Sequence, residues 1–391
     1  MFNEIRRTVK AGNKVTLFYA LASILPVVGF LPNLPGFIIY VIAIFYGFFC
    51  LLNMRNVDIL TVLLLIYIPI ELIIVQPPSL FRSWPRYVFF MFLLMNVSPL
   101  LQSETLRNSR EQIFKYVMWA CVGLGVGSFF ARFLGLNFMK AAGDEFVFRT
   151  GLFGGLTTHS MMLGPIAGIG TCYLVYKAML TKNRLCWLFS IMALFAVMFS
   201  ASRSALFATL AGVMVTIYYM SGTRSAFARY LVIAVIIGSS TFSLWQDALS
   251  GVMEKNSQFE RVTDSRMDLW VTRLEEFQSS PILGVGFCAS SLNESSIVDL
   301  SSGRVETGTS WLIILSMLGV IGACITLPIL FRAFKYSRRR SDEMGALLCG
   351  VLVLFFVHMF AEGYIFAGGS FLAFMLWLTV GVGTDSKYYG R

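Results

Sequence analysis

The sequence predicts an all-α fold, a polytopic bundle of transmembrane helices, and three observations carry that reading. The 391 residues are 57% hydrophobic and 13% charged, with a mean hydropathy of +0.73, where a soluble chain carries about 25% charged residues. Most of the chain divides into apolar runs of roughly 16 to 25 residues, the length that crosses a bilayer as helix. The basic residues gather in alternate connections between those runs.

In order, the runs predict about twelve spans, near 15–31, 35–52, 57–75, 86–101, 113–134, 160–177, 185–200, 204–220, 228–245, 309–331, 344–361 and 364–383. The basic start "MFNEIRRTVKAGNK" leads into an apolar run without a small-residue cleavage site, so the first run reads as a spanning helix, not a signal peptide. With both termini in the cytoplasm, 20 of the 31 basic residues fall on the inner side, including "RAFKYSRRR" at 332–340. The opposite orientation places that majority outside. The chain reads as one integral membrane domain over 1–391, with one large outer loop, 246–308, too short and polar to be an independent domain.

The net charge of +10 follows from this asymmetry and calls for no nucleic-acid partner. Six of the seven cysteines lie in or beside apolar runs, so neither a disulfide framework nor a CxxC metal site is expected. No DxD motif or carboxylate cluster suggests a divalent ion. The outer basic residues are nine arginines against two lysines. Ordinary loop chemistry is one reading. The other is bidentate contact with phosphate or carboxylate, which arginine makes and lysine does not.

Arg203 stands in "FSASRSALFATLAGV", between two apolar runs of about 16 residues. Each run reaches roughly 24 Å as helix, short of a hydrocarbon core of about 30 Å. The turn therefore sits below the membrane surface, where irregular backbone must be buried in protein or line a wet cavity. Ser200, Ser202 and Ser204 are placed to cap the freed backbone groups. Arg203 then faces an outward-open polar cavity or snorkels to headgroups.

In the outer loop, "ERVTDSRMDLWVTRLEEFQSSPILGVGF" places Met267, Trp270, Val271, Leu274 and Phe277 at helical spacing. The expectation is an amphipathic helix on the membrane surface, either roofing a cavity or serving only as an anchor. Arg261, Arg266 and Arg273 lie on the same segment. "SSPILGVG" ends the helix, since proline cannot continue it and the glycines turn the chain.

"SASRSAL", then "SRMDLWVTRLEEFQSSPILGVGF", then "SWLIILSMLGVIG" resembles the O-antigen polymerase and O-antigen ligase superfamily of bacterial inner membranes. The shared outline is a Ser-Arg turn between two helices and an Arg-x-x-x-Trp helix (Arg266, Trp270) ending in Pro-x-x-Gly-x-Gly (281–286). A further helix follows that closes on Gly-x-x-Gly (Gly319, Gly322). "RTGLFGGLTTHSMMLG" (149–164) also fits, so the resemblance spans roughly 149–322. It implies a GT-C-like glycosyltransferase that uses no nucleotide sugar; with no DxD motif or carboxylate cluster in the chain, arginine is expected in place of a metal, and no cofactor is expected. Its donor is an undecaprenyl-pyrophosphate-linked glycan. Its acceptor is a lipid-linked repeat unit for a polymerase, or lipid A-core for a ligase. Membrane lipid and a chain-length regulator protein are the other implied partners. A leaving pyrophosphate needs charge neutralisation, and Arg203, Arg266 and Arg149 are the candidates for it.

One departure concerns the base. Where ligases and many relatives have His-Asn before this last helix, the chain has Gly308-Thr309. Glu306 or His159 is left to deprotonate the acceptor hydroxyl. His358 and Glu362 share a helix face at i, i+4, either satisfying each other or meeting the acceptor. Glu71 is placed to partner an arginine across the bundle. Arg82 and Arg86 flank Trp84 as an interfacial belt. A flippase for lipid-linked units is the rival of another class. The single outer loop has no counterpart in the other half, which favours a one-sided catalyst over alternating access.

Overall fold

The computed structural model describes residues 14–31, 36–139, 153–230, 232, 260–291, 298–299, 304–305 and 308–389. Helices dominate them. They are α1 (Lys14–Ile24), α2 (Gly36–Leu52), α3 (Ile59–Val75), α4 (Ser83–Val97), α5 (Glu104–Phe133), α6 (Ser160–Thr181), α7 (Arg184–Phe199), α8 (Arg203–Met220), α9 (Glu260–Ser279), α10 (Ser310–Arg339), α11 (Met344–His358) and α12 (Phe371–Asp385). Two short antiparallel hairpins accompany them, β1 (Asn56–Val57) with β2 (Leu101–Gln102) and β3 (Val298–Asp299) with β4 (Arg304–Val305). A helix stands at each expected interval except 228–245, which lies almost wholly outside the described residues. Four helices, α5, α6, α8 and α10, are long and apolar enough to cross a membrane; α1, α2, α3, α7 and α11 are apolar but shorter.

Side-chain caps set several starts. Asp58 accepts from Thr61 N at 3.2 Å before α3, Ser103 from Leu106 N at 3.2 Å before α5, and Asn183 from Leu185 N at 2.9 Å before α7. α5 and α10 outrun their apolar stretches because their polar turns continue the helix into charged contacts. The last two expected spans need correction. They are separated by an irregular segment, 359–370, whose Tyr364, Ile365 and Phe366 are buried like core residues. Apolar content there serves a packed loop, which Gly363, Gly368 and Gly369 interrupt.

α12 is buried on every side, as a helix with no polar face must be. Its Trp377 donates to Ile365 O at 2.9 Å, so the core helix holds the 359–370 loop. Small residues bring other helices close. Gly125 of α5 faces Ala167 and Ala193, and Gly170 of α6 faces the Cys121 backbone.

The bundle has two unlike ends. One carries ion pairs between helix ends, the deepest at Arg110. Arg110 donates through Nε and Nη2 to Asp385 at 2.7 and 3.0 Å, and through Nη1 to Leu101 O at 2.9 Å. Arg332 meets Asp58 at 2.6 Å, and Arg340 meets Asp342 and Glu111. Three cations that the sequence reading counts as topology signals are therefore structural. Asp385→Ala leaves Arg110 buried, its side chain 2% exposed, without its carboxylate. The expected cost is about 3–5 kcal/mol, read as a lowered thermal transition of the purified protein.

Candidate active site at the Arg203 end

The opposite end collects Arg203, the His159 turn, the 281–291 loop, the start of α10 and the 359–370 loop. Its first component is a pair of parallel helices. α6 and α8 both begin here and pack along each other. A Cβ on Gly164 would lie 2.7 Å from Ala205 Cβ and 3.0 Å from Ser200 Oγ. Only glycine permits that approach, so the Ser-Arg turn rests on the first turns of α6. Four residues deeper, Gly168 meets Thr209 of α8 and Leu354 of α11. One turn back toward this end, about 6 Å on each helix, stand Gly164, Ala205 and His358. The two N-termini are thus side by side, and their partial positive charges add.

The serines cap as their positions predict. Ser202 Oγ accepts from Ala205 N at 3.4 Å, and Ser200 Oγ accepts from Ser202 N at 3.3 Å while donating to Val197 O at 2.6 Å. Arg203 occupies the first position of α8 and is exposed. Arg132, at the end of α5, lies over the rings of Phe153 and Phe199 at 5.4 and 5.8 Å, which brings a second guanidinium beside the turn. Arg132 is one of the nine outer arginines counted in the sequence, with no motif there to assign it to the site. Its position just before an α5 terminus was the available signal.

His159 caps α6, its Nδ1 accepting from Met161 N at 3.1 Å. That bond fixes the neutral ring with its proton on Nε2, so the ring presents a donor and no free lone pair for a base. Burial pulls the imidazole below its ordinary value of 6.5. Its contribution to stability is therefore present above that value and lost as pH falls through it, because the unfolded chain protonates first. His159→Asn is expected to keep the cap and flatten this pH dependence, whereas His159→Ala costs about 1 kcal/mol; thermal melts between pH 5 and 8 check both. The 153–158 turn is stitched to the segment that follows α1, with Gly29 N donating to Leu156 O at 2.7 Å and Thr158 N to Val27 O at 3.1 Å.

The second component is α9 with its loop. Met267, Trp270, Val271 and Leu274 are exposed, while Leu269, Thr272, Arg273 and Glu276 are buried. The apolar stripe faces outward and the polar face inward, as suits a helix lying on a membrane. Arg273, a cavity candidate in the sequence, is committed elsewhere. It is 0% exposed and donates to Glu276 at 2.6 Å. Burial draws its guanidinium below the usual arginine range, and Glu276 opposes that. Glu276 also accepts from Ser291 N at 2.8 Å and from Ser290 Oγ, fastening helix to loop. Arg261 and Arg266 belong to the same helix, but their side chains lie outside the described residues, as do Glu306 and Arg149 altogether.

The loop after α9 interlocks with α10. Val285 N donates to Ser316 O at 2.8 Å, Gly286 N to Met317 O at 3.2 Å, and Val320 N to Pro281 O at 2.9 Å. α10 is broken at Gly319, with φ 63° and ψ −168°. The loop backbone supplies the partners the break would leave unsatisfied. Gly284, at φ +87°, lies against the Met317 backbone, and Gly319 against the Ile282 carbonyl; a Cβ on either would overlap it. Tyr67 donates to Leu318 O at 2.7 Å, and Glu71 accepts from Phe287 N at 3.2 Å. Glu71 thus holds backbone here, not the arginine expected of it.

Gly308 has φ +68°, and a Cβ there would lie 3.0 Å from Leu269 Cβ, so α9 covers the position. Thr309 donates to Met359 O at 2.9 Å, and Ser310 Oγ to Glu362 O at 2.7 Å while accepting from Tyr364 N at 3.0 Å. His358 Nδ1 is 3.3 Å from Tyr364 Oη. A cavity of about 450 Å³ opens beside this cluster, lined by Arg86, Cys288, Val305, Met317 and the 363–370 loop. The structure therefore gathers Arg203, Arg132, His159 and His358 at one end, with Glu362 on the same loop cluster.

A family model described as O-antigen ligase matches residues 187–327. No curated protein matches the chain. The matched segment contains Arg203, α9 and both interlocking motifs; His159, Arg149, His358 and Glu362 lie outside it.

Proposed function

We propose that this chain, whose match over 187–327 supports the O-antigen ligase and polymerase superfamily, is a polysaccharide polymerase of the bacterial inner membrane. It transfers an undecaprenyl-pyrophosphate-linked glycan to a lipid-linked repeat unit. Both termini are cytoplasmic in this reading and the Arg203 end is periplasmic, which the split of basic residues favours. The observation that carries it is the pair of parallel helix N-termini, α6 and α8, bearing Arg203 beside Arg132. The acceptor hydroxyl attacks the anomeric carbon, the bond to the pyrophosphate oxygen breaks, and the leaving group departs with its charge. Adjacent helix dipoles and guanidinium groups neutralise that charge without a metal.

Polymerase is chosen over ligase because of Gly308. The resemblance implies histidine at this position in ligases and many relatives, whereas here it is a left-handed glycine, and a Cβ on it would lie 3.0 Å from Leu269 Cβ of α9. Glu306 is the better base in this chain, since His159 presents an N–H. Glu306→Gln should lower turnover by about 10²–10⁴ with donor binding intact, and His159→Asn should leave turnover near normal. The reverse pattern reassigns the base. Deletion of the gene tests the class. A polymerase leaves single repeat units on lipid A-core; bare core signals a ligase, and repeat units trapped inside signal a flippase.

A further inference from the structure

The same end of the molecule holds a basic corner that the proposed chemistry does not use. α3 ends at Val75, the chain passes Pro77-Pro78-Ser79, and α4 begins at Ser83. Between them lies a cavity of about 570 Å³ lined by Leu72, Ile73, Pro77, Arg82, Ser83 and Trp84, with no carboxylate on its wall. Arg82 is exposed and makes no ion pair among the described residues. Ser83, at the first position of α4, is 6% exposed, and its Oγ is buried with no hydrogen-bond partner among the described residues. A buried hydroxyl without a partner is costly, and the first N–H groups of a helix lack intrahelical partners. Below the cavity, Leu63, Ile66, Ile70 and Ile73 are exposed at helical spacing along α3, an apolar track into the bilayer.

The geometry points to a site for the phosphoryl headgroup of a membrane lipid, with Arg82, Ser83 Oγ and the α4 N-terminus holding the phosphate and the α3 track receiving the tail. It stands apart from the Arg203 corner. Tyr67 of α3 bonds α10 at Leu318, whereas α6 and α8 meet α11 at Leu354, so α10 and α11 lie between the two corners. Resting on the proposed function, this site anchors the acceptor's pyrophosphate while the Arg203 corner takes the donor's. The sugars would meet over the ends of α10 and α11. Gly286 packs on Pro77, so the site also touches the interlocked loop.

The test is equilibrium binding of labelled undecaprenyl pyrophosphate to the full chain in phosphatidylcholine nanodiscs, with and without phosphatidylglycerol. Wild type should bind two equivalents. Arg82→Gln and Ser83→Ala should each weaken one of them about tenfold or more, the loss of a charge-assisted or buried hydrogen bond. Arg203→Ala should weaken the other. Retention of the Arg82-dependent equivalent in excess phosphatidylglycerol assigns it to the substrate lipid. Displacement supports the site but assigns it to bilayer phospholipid. Wild-type binding in both Arg82→Gln and Ser83→Ala overturns the site. Wild-type binding in Arg203→Ala counts only against the proposed function.

Discussion

Gly319→Ala is expected to remove most of the folded protein from the membrane. At φ 63° and ψ −168° Gly319 lies in a region that essentially only glycine populates, at a cost of about 1–3 kcal/mol for any other residue. The added Cβ would also overlap the Ile282 carbonyl, which backbone movement alone can relieve. That movement breaks the bonds from Val320 N to Pro281 O and from Val285 N to Ser316 O, exposing unsatisfied groups inside α10. Gly284→Ala meets the same obstacle from the other side, at φ +87° against Met317. Gly123→Ala is the control. Nothing lies within 4 Å of its Cβ, and alanine in a helix interior gains about 0.5–1 kcal/mol over glycine. The yield and melting temperature of the three variants should therefore move in opposite directions. Normal yield of both Gly319→Ala and Gly284→Ala would mean that the loop and helix do not interlock.

Arg203→Ala is expected to cut polymer formation by about 10²–10³ at normal protein level. The side chain is exposed at the end of a capped helix, so its loss removes charge from the site without opening the core. Arg203→Lys should restore only part of the activity, since one ammonium cannot make the planar two-point contact. Full activity in the lysine variant would mean that charge alone suffices. Full activity in the alanine variant would return Arg203 to snorkelling at the headgroups.

Much of the helical frame was legible in the sequence, because lipid-facing and buried helices both need unbroken apolar runs. The 359–370 loop was not, because its buried Tyr364, Ile365 and Phe366 carry the same apolar signal without the helix. The α9 stripe was read correctly from spacing, yet the fate of Arg273 was missed. The signal existed, since Glu276 stands three residues on, where opposite charges meet on one helix face. The two glycine motifs were visible separately. Their interlock was not, because it is made of backbone hydrogen bonds, and side-chain pattern says nothing about which backbone meets which. In the site, the serine caps of the turn followed from sequence. The parallel packing of α6 on α8 did not, since Gly164 reads as one small residue among many.

The most direct measurement is reaction of the purified chain with a single defined undecaprenyl-pyrophosphate-linked repeat unit, in lipid and without nucleotide sugar, followed by mass analysis of the lipid-linked products. The account predicts a ladder of multiples of the repeat, with one undecaprenyl pyrophosphate released per step and with no ladder in Arg203→Ala. Unchanged repeat unit in the wild-type reaction, together with transfer of whole glycan when lipid A-core is added, would contradict it.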